Sequence, residues 1–216
     1  MAEELIAFSR RLLGPGADEV GQIVGDWARL WRIKNLISIK KKFERICKDK
    51  GIDPSEGRYL PLAVGLPLLE KASYHDDHYL QDRWAHLIAS SLIETSTIEN
   101  EDFSLENTCV EILHQLSPLD CEVLEFVVEN GVKDRVPHPM AVINTVPIEP
   151  GQLQAEFPDT LAHISVEKLV SLGCVRRRLI LPIDGLQETI EPNLIGINLY
   201  IKASGKMPKW ATFEWP

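Results

Sequence analysis

The segment YHDDHYLQDRWAHLIASSL, residues 74–92, limits what this chain can fold into more than any other segment. Its apolar residues recur at the three- and four-residue spacing of a helix that packs on one side. The positions predicted to be buried are Leu80, Trp84, Leu87, Ile88 and Ser91. Asp76 or Asp77 is suited to cap the first helical turn, because a carboxylate there can accept backbone N–H bonds. The segment therefore predicts a helix in the core of a helical domain.

Further helices are predicted on both sides of this segment. A long helix is expected from about residue 18 to residue 50, and Gly51 is suited to end it. Shorter helices are expected at the N-terminus, at residues 62–72 with Pro67 as a point of interruption, and at residues 104–115. The apolar stripe expected on the long helix comprises Val20, Ile23, Val24, Trp27, Leu30, Trp31, Ile33, Leu36, Ile37, Phe43, Ile46 and Cys47.

A second motif, ILHQLSPLDCEVLEFVVENG at residues 112–131, restarts the helical pattern. Ser117 is suited to cap this helix, and Pro118 suits its first position, where a missing N–H costs nothing. Asp120 lies in the first turn, at the positive end of the helix dipole. Gly131 is expected to end the helix.

The pattern changes after this helix. Residues 131–158 are expected to be loop with short elements, followed by a helix at residues 160–172. Strands are expected at residues 175–182 and 194–202, joined by a loop that contains Asp184 and Gly185. Helix, helix and two-stranded wing is the order of a winged-helix domain. The sequence thus predicts a mainly α protein, with a helical domain at residues 1–103 and a small α+β winged-helix-like domain at residues 104–216.

Several of these segments resemble the Abi-alpha family, the abortive infection proteins of bacteria. The resemblance implies a role in anti-phage defence, in which an infected cell stops growing or dies before phage spreads. It brings no catalytic motif that can be placed on this chain, so we expect no catalytic residue. The matching segments are WRIKN (31–35), LPLLEKAS (66–73), DDHYLQDRWAHLIASSL (76–92), EILHQLSPLDCEVL (111–124) and LVSLGCVRR (169–177). The family signature, interpreted as structural, consists of Asp76, Asp77, Gln81, Asp82 and Trp84.

A metal site is the alternative interpretation of residues 74–92. His78, Asp82 and His86 recur every four residues, so the outer two lie roughly 12 Å apart along a helix. A zinc–nitrogen bond is only about 2 Å long, so one ion cannot bind all three side chains. We therefore expect no metal and no cofactor, and a metal-dependent hydrolase is the weaker alternative.

The cysteines and the hydropathy bear on location. The four cysteines stand apart without a C-x-x-C pair, which is typical of reduced thiols in the cytoplasm. No apolar run is long enough to cross a bilayer. We expect a cytoplasmic protein with no membrane span.

The net charge of −9 hides a basic segment, since residues 29–50 carry nine basic and two acidic side chains. A run of charged residues usually forms a solvated face of a helix. Pairing of these basic side chains with acidic ones is as plausible as binding of an anionic ligand. A nucleic-acid-binding regulator is therefore an alternative, less favoured than a protein that acts through protein contacts. The candidate contact residues for a polyanion or a partner are Lys40, Lys41, Lys42, Arg45, Lys48, Arg176, Arg177 and Arg178.

The segment KMPKWATFEWP places Trp210, Phe213 and Trp215 close together. Aromatic side chains this dense are rarely left in water. They are expected either to pack on the wing domain or to join a second subunit, with a homodimer favoured. The leading hypothesis is a non-enzymatic phage-defence protein that acts through protein contacts, self-association included.

Overall fold

Helices make up most of the chain that the structure describes, as the apolar periodicity predicts. The structure, a computed structural model, describes residues 2–14, 30–51, 59–94, 104–135, 143–145, 147–157, 159–180 and 187–206. The helices are α1 (Ala2–Leu13), α2 (Leu30–Asp49), α3 (Leu62–Ala72), α4 (His78–Glu94), α5 (Ser104–Gln115), α6 (Pro118–Gly131), α7 (Pro150–Glu156), α8 (Asp159–Ser171) and α9 (Leu194–Ser204). The strands are β1 (Val132–Arg135), β2 (Ile143–Thr145), β3 (Val175–Ile180) and β4 (Gln187–Pro192).

The elements divide into two compact units. The first comprises Met1–Gln115 with Lys202–Gly205, and the second comprises Leu116–Ile201 with Lys206–Pro216. Helix α5 therefore belongs to the first unit, where it packs on α3. A boundary between independently folding domains near residue 103 stays a prediction.

The core of the first unit forms around α4, and each position predicted to be buried on this helix is buried. Trp84 is 0% exposed and packs beside the His75 ring, with ring centroids 5.6 Å apart. Helix α2 packs along α4, and Phe43 of α2 contacts Phe8 of α1 with ring centroids 5.7 Å apart. The buried α4 positions are Leu80, Gln81, Trp84, Ala85, Leu87, Ile88, Ala89 and Ser91.

The stripe predicted on the long helix is confirmed in part. Phe43, Ile46 and Cys47 are buried. Ile33, Leu36 and Ile37 are only half-buried, because Asn35 and Ile39 take the inward positions on that side. The predicted helix before Leu30 lies outside the described residues, whereas α3 runs on without interruption through Pro67.

The second motif forms the capping box that its residues predict. Asp120 N donates to Ser117 Oγ at 3.2 Å, and Ser117 N donates to Asp120 Oδ2 at 2.7 Å, with Pro118 at the start of the helix. Asp120 also accepts hydrogen bonds from Ser165 Oγ and Lys168 Nζ of α8, each at 2.7 Å. Burial alone would raise the pKa of Asp120, but the hydrogen bonds from Lys168, Ser165 and Ser117 outweigh it and lower that pKa. The motif thus starts α6 and ties α6 to α8.

An antiparallel hairpin follows α8, but its second strand is not the predicted one. Strand β4 spans Gln187–Pro192 and pairs antiparallel with β3, from Val175↔Pro192 to Ile180↔Gln187. The predicted strand at residues 194–202 is wrong, because that run forms helix α9. Asn193 accepts a hydrogen bond from Leu194 N through Oδ1 at 2.8 Å, and a Cβ on Gly196 would lie 2.2 Å from the carbonyl oxygen of Cys174. Asn193 starts the helix, since its carbonyl accepts from Ile197 N at 3.0 Å, and Gly196 allows close packing against Cys174.

The last residues of α9 belong to the first unit and close over one edge of α4. Lys202 Nζ forms a buried ion pair with Glu106 Oε1 at 2.7 Å, and Ser90 Oγ donates to the carbonyl of Lys202 at 2.9 Å. Gly205 has a φ of 66° and lies directly against the imidazole of His86. A Cβ on Gly205 would lie 2.2 Å from His86 Nδ1. Glycine is therefore required here both for its dihedral angle and for the space it leaves.

Trp84→Ala is expected to lower the free energy of unfolding by about 3–5 kcal/mol, the range for removing a buried large aromatic side chain. Urea unfolding followed by circular dichroism measures the change. Ile6→Ala on α1 is the control, since Ile6 is exposed and its loss should cost about 0.5 kcal/mol or less. A Trp84→Ala protein as stable as the parent would contradict the core role of this residue.

Gly205→Ala and Gly51→Ala form a matched pair, because the two glycines have φ angles of 66° and 65°. Gly51→Ala should cost about 1–2 kcal/mol from the left-handed backbone alone, since nothing lies within 4 Å of a Cβ at that position. Gly205→Ala should cost a further ~1–3 kcal/mol, because its Cβ collides with His86. The free energies of unfolding of both variants test this, and equal costs would show that the contact with His86 is not tight.

Candidate functional site

The polar side chains of the signature lie on α4 or just before it, and most of them form hydrogen bonds inside the first unit. Asp77 Oδ1 accepts a hydrogen bond from Leu80 N at 3.0 Å, which is the predicted cap. Gln81 accepts from Ser38 Oγ of α2 at 2.6 Å and donates to the carbonyl of His75 at 3.0 Å. Asp76 is exposed. Asp77 therefore caps α4, and Gln81 holds α4 to α2 and to the segment before it.

Asp82 faces the basic helix α2. Its Oδ1 lies 2.7 Å from Lys42 Nζ and 3.6 Å from Arg45 Nη2. Lys42 also donates to the carbonyl of His78 at 2.9 Å, and Lys40 pairs with Glu44 at 2.9 Å on the same helix. Part of the basic run is thus paired within the first unit.

The rest of the basic run forms an exposed stripe. Lys34, Lys41 and Lys48 recur every seven residues, so they share one face of α2 at intervals of about 10 Å. Arg45 lies on the same face and is also exposed. Across the described ranges, none of the three lysines has an ion pair with an acidic side chain. Lys41, Arg45 and Lys48 of this stripe belong to the predicted contact surface, whereas Lys34 was not among the predicted residues.

The side chains that suggested a metal site are not brought together. Asp82 is engaged by Lys42, and the His86 ring is covered by Gly205. Burial, with the charges of Lys50 and Arg83, lowers the pKa of His86 to about 4, so its imidazole is neutral at pH 7. Its Nδ1 is buried without a hydrogen-bond partner among the described residues. No group of three or more His, Cys, Asp or Glu side chains that could hold a metal ion occurs in the part of the chain that the structure describes.

Two other histidines do meet, which the sequence analysis missed. His75 Nε2 and His114 Nδ1 lie 3.3 Å apart, and the rings are nearly perpendicular. Burial and the neighbouring His114 lower the pKa of His75, and burial and Lys71 lower the pKa of His114. The residues are 39 positions apart and on different elements, so spacing along the chain carried no signal for the pair. The pair shares one hydrogen bond beside Trp84.

The wing arginines are each engaged by carboxylates of the second unit. Arg176 Nη2 lies 2.7 Å from Glu191 Oε2, and Arg178 Nη1 lies 3.3 Å from Glu191 Oε1. Arg177 pairs with Glu167 and, at 2.9 Å, with Glu188. Glu191 is buried, so its two arginines offset the cost of burying its charge. Their pairing reduces the positive charge that the hairpin presents to a ligand.

The second unit contains an open cleft that the sequence analysis did not anticipate. Its volume is about 460 Å³, and α7, α8 and the β3–β4 hairpin form its walls. Apolar side chains supply most of its lining, including Leu153, Ile164 and Ile190, with Arg177 and Glu188 among its polar groups.

Exposed apolar side chains occur on the elements that form the cleft, although only Ile164 of the three named next lines it. Ile164 is 59% exposed and Leu161 is 51% exposed, one helical turn apart on α8, and Leu179 of β3 is 64% exposed. The sequence signal that could have indicated these exposed side chains is the number of apolar residues on α8. Only some of them, Ala162, Val166 and Leu169, are buried. Trp210, Phe213 and Trp215, the candidates for self-association, lie outside the described residues.

The four cysteines are free thiols, each buried in its unit. Burial raises the pKa of the Cys47 thiol, which makes it a poorer nucleophile at pH 7. Among the described helices, none has the length and hydropathy needed to cross a membrane.

Comparison with known proteins agrees with the resemblance of the motifs. Residues 34–192 match the model of a family described as abortive infection alpha. Neither the curated proteins nor the solved structures gave a match. The matched range contains α4 with its signature, the capping box of α6 and the β3–β4 hairpin. The chain therefore belongs to the abortive infection alpha family.

Proposed function

We propose that this protein is a non-enzymatic component of bacterial anti-phage defence, that it works in the cytoplasm, and that it acts through protein contacts. The family supplies the setting of abortive infection. The observation that carries the mechanism is the apolar cleft beside α8, with Ile164 59% exposed at its edge. Burying such a face against a partner is favourable, because it removes apolar area from water.

The chemistry of α8 favours a protein partner over a DNA groove. In a winged-helix-like domain α8 would be the recognition helix, and DNA recognition depends on several Lys and Arg contacts to phosphates. The exposed side of α8 instead presents Leu161 and Ile164, with His163 and Glu167 beside them. Glu167 is paired with Arg177 and adds no positive charge, whereas leucine and isoleucine are suited to an apolar partner surface.

The polar signature residues have a structural role that is separate from the contact surface. Gln81 and Asp82 join α4 to α2, and Asp120 joins α6 to α8. We infer that these motifs maintain the two units, while the cleft and its apolar edge make the functional contact. Self-association is one form that this contact can take.

Cells that carry the gene should show a lower plating efficiency for at least one phage than cells without it, with loss of infected cells before phage release. Ile164→Arg should abolish this protection, because a charge at the cleft edge opposes apolar docking. Leu194→Arg is the matched control, since Leu194 is 58% exposed in the same unit but does not line the cleft.

Both variants should accumulate to the level of the parent protein, which immunoblotting establishes. An unchanged plating efficiency across a broad phage panel would argue against the defence role. Full protection by Ile164→Arg would refute the cleft as the contact surface while leaving the defence role intact.

The second candidate is a regulator that binds nucleic acid through α2. The exposed stripe of Lys34, Lys41 and Lys48 is the observation that favours it. The pairing of Arg176 and Arg178 with Glu191 weakens the contribution expected from the wing.

If this candidate is correct, generic DNA or RNA should bind at low salt, and the affinity should fall steeply as salt rises. Lys41→Glu with Lys48→Glu should reduce the binding by at least about tenfold, because two phosphate contacts become repulsive. Fluorescence anisotropy of a labelled oligonucleotide measures both effects, and Arg176→Gln serves as the comparison from the wing. No binding at about 20 mM salt would eliminate this candidate.

A further inference from the structure

The two histidines that meet in the first unit, His75 and His114, have the spacing of two ligands of one metal ion. His75 Nε2 and His114 Nδ1 lie 3.3 Å apart. Two nitrogens that bind one zinc ion at about 2.0–2.1 Å, with a tetrahedral angle between them, lie about 3.3–3.4 Å apart. The pair therefore has a geometry that the histidines along α4, His78 and His86, do not offer.

We propose that His75 and His114 bind one zinc ion through Nε2 and Nδ1, with water completing a tetrahedral coordination. Imidazole nitrogen is a preferred ligand of zinc, and both rings are only half-buried, so water can reach the ion. A usual structural zinc site has four protein ligands, whereas this one has two. We therefore infer a reversible site that adds to the stability of the first unit, not one on which folding depends. The inference does not rest on the proposed function.

The surroundings hold both imidazoles in place before an ion binds. The carbonyl of His75 accepts a hydrogen bond from Gln81 Nε2 at 3.0 Å, and the Trp84 ring lies against the His75 ring with centroids 5.6 Å apart. The Tyr74 ring lies against the His114 ring with centroids 5.7 Å apart, in the last turn of α5. Because neither ring has to be brought from elsewhere, binding costs little conformational entropy.

Carboxylates outnumber cations around the pair in the part of the chain that the structure describes. Lys71 is the cation that acts on His114, and it is paired with Glu111. Arg32 of α2 lies over the face of Tyr74, 3.9 Å from the ring centroid. The carboxylates that act on the two rings are Glu70, Asp76, Asp77 and Glu111. Their combined negative charge favours a bound cation.

Both imidazoles are neutral at pH 7, which is the form that binds a metal ion. Burial and the neighbouring His114 lower the pKa of His75, and burial and Lys71 lower the pKa of His114. Without metal, one ring donates its N–H to the other ring. The donating ring must therefore move this proton to its other nitrogen, by exchange with water, before both facing nitrogens can bind the ion. No proton is released overall, because both rings stay neutral.

A zinc ion at this position would join the turn before α4 to α5. His75 lies between α3 and α4, and His114 is on α5. An ion that binds the folded state and not the unfolded chain raises stability by mass action. The unfolding temperature of the parent protein should therefore rise with zinc concentration, and that of His114→Gln should not.

The test uses the full chain, purified without an affinity tag and dialysed against a chelator, with zinc chloride as the probe. Isothermal titration calorimetry at neutral pH should show saturable binding of one ion. His75→Gln and His114→Gln should each weaken the affinity at least about tenfold, because each removes a ligand. His78→Gln is the matched control, since His78 is an exposed histidine of the same unit, and it should bind zinc like the parent. Circular dichroism checks that the three variants are folded.

NMR of the histidine ring nitrogens gives a second readout on the parent protein alone. Zinc should shift the resonances of both rings together and leave the proton of His75 on Nδ1 and that of His114 on Nε2. No saturable binding up to about 1 mM zinc would overturn the proposal, and so would unchanged ring resonances. An equal loss of affinity in all three variants would also overturn it, by showing an adventitious ion only. These readouts involve no phage, so their failure is distinct from a failure of phage protection.

Discussion

The first unit depends on the burial of Trp84 on a helix whose polar edge is bonded to α2. Trp84 is fully buried, and Gln81 and Asp82, on the same helix, bond to Ser38 and Lys42. Apolar burial supplies the free energy but is not directional, so it leaves the rotation of one helix against another loosely set. The hydrogen bond and the ion pair are directional and select one register. The dense mixture of acids, histidines and an indole in this segment is therefore explained by packing and orientation together.

Asp120 has a comparable part in the second unit. Its carboxylate completes the capping box of α6 and accepts hydrogen bonds from Ser165 and Lys168 of α8. A buried carboxylate is costly unless it is paired and hydrogen-bonded, and here its partners come from both helices. The motif that looks like a local helix start is thus also a long-range contact. This explains why a buried Asp and Ser with a Lys beside them need not signal catalysis.

Elements with strong local signals could be predicted from the sequence, and elements set by distant partners could not. The apolar spacing of α4 and the Ser117–Pro118 start of α6 are local, and both helices lie where they were expected. Strand β4 was missed because its polar residue Glu191 is buried only through pairing with Arg176 and Arg178. Residues 194–202 alternate apolar side chains like a strand but form helix α9, in which Gly196 lies directly against the backbone of Cys174. The partner of Asp82, Lys42 on α2, could be identified only from the fold.

The cleft, like strand β4, could not be predicted from local sequence signals. An apolar residue on a helix reads as core until the neighbouring elements are known, so Leu161 and Ile164 could not be told from Val166 in the sequence. In the fold Val166 is buried and Ile164 is exposed, so the apolar area that stays exposed on α8 indicates a contact surface. Polar motifs are then explained by bonds inside each unit, and the surface that still gains from contact is apolar. The exposed apolar area of the cleft, rather than a reactive group, is therefore the feature that favours recognition of a partner. Such a partner is expected to present hydrophobic side chains.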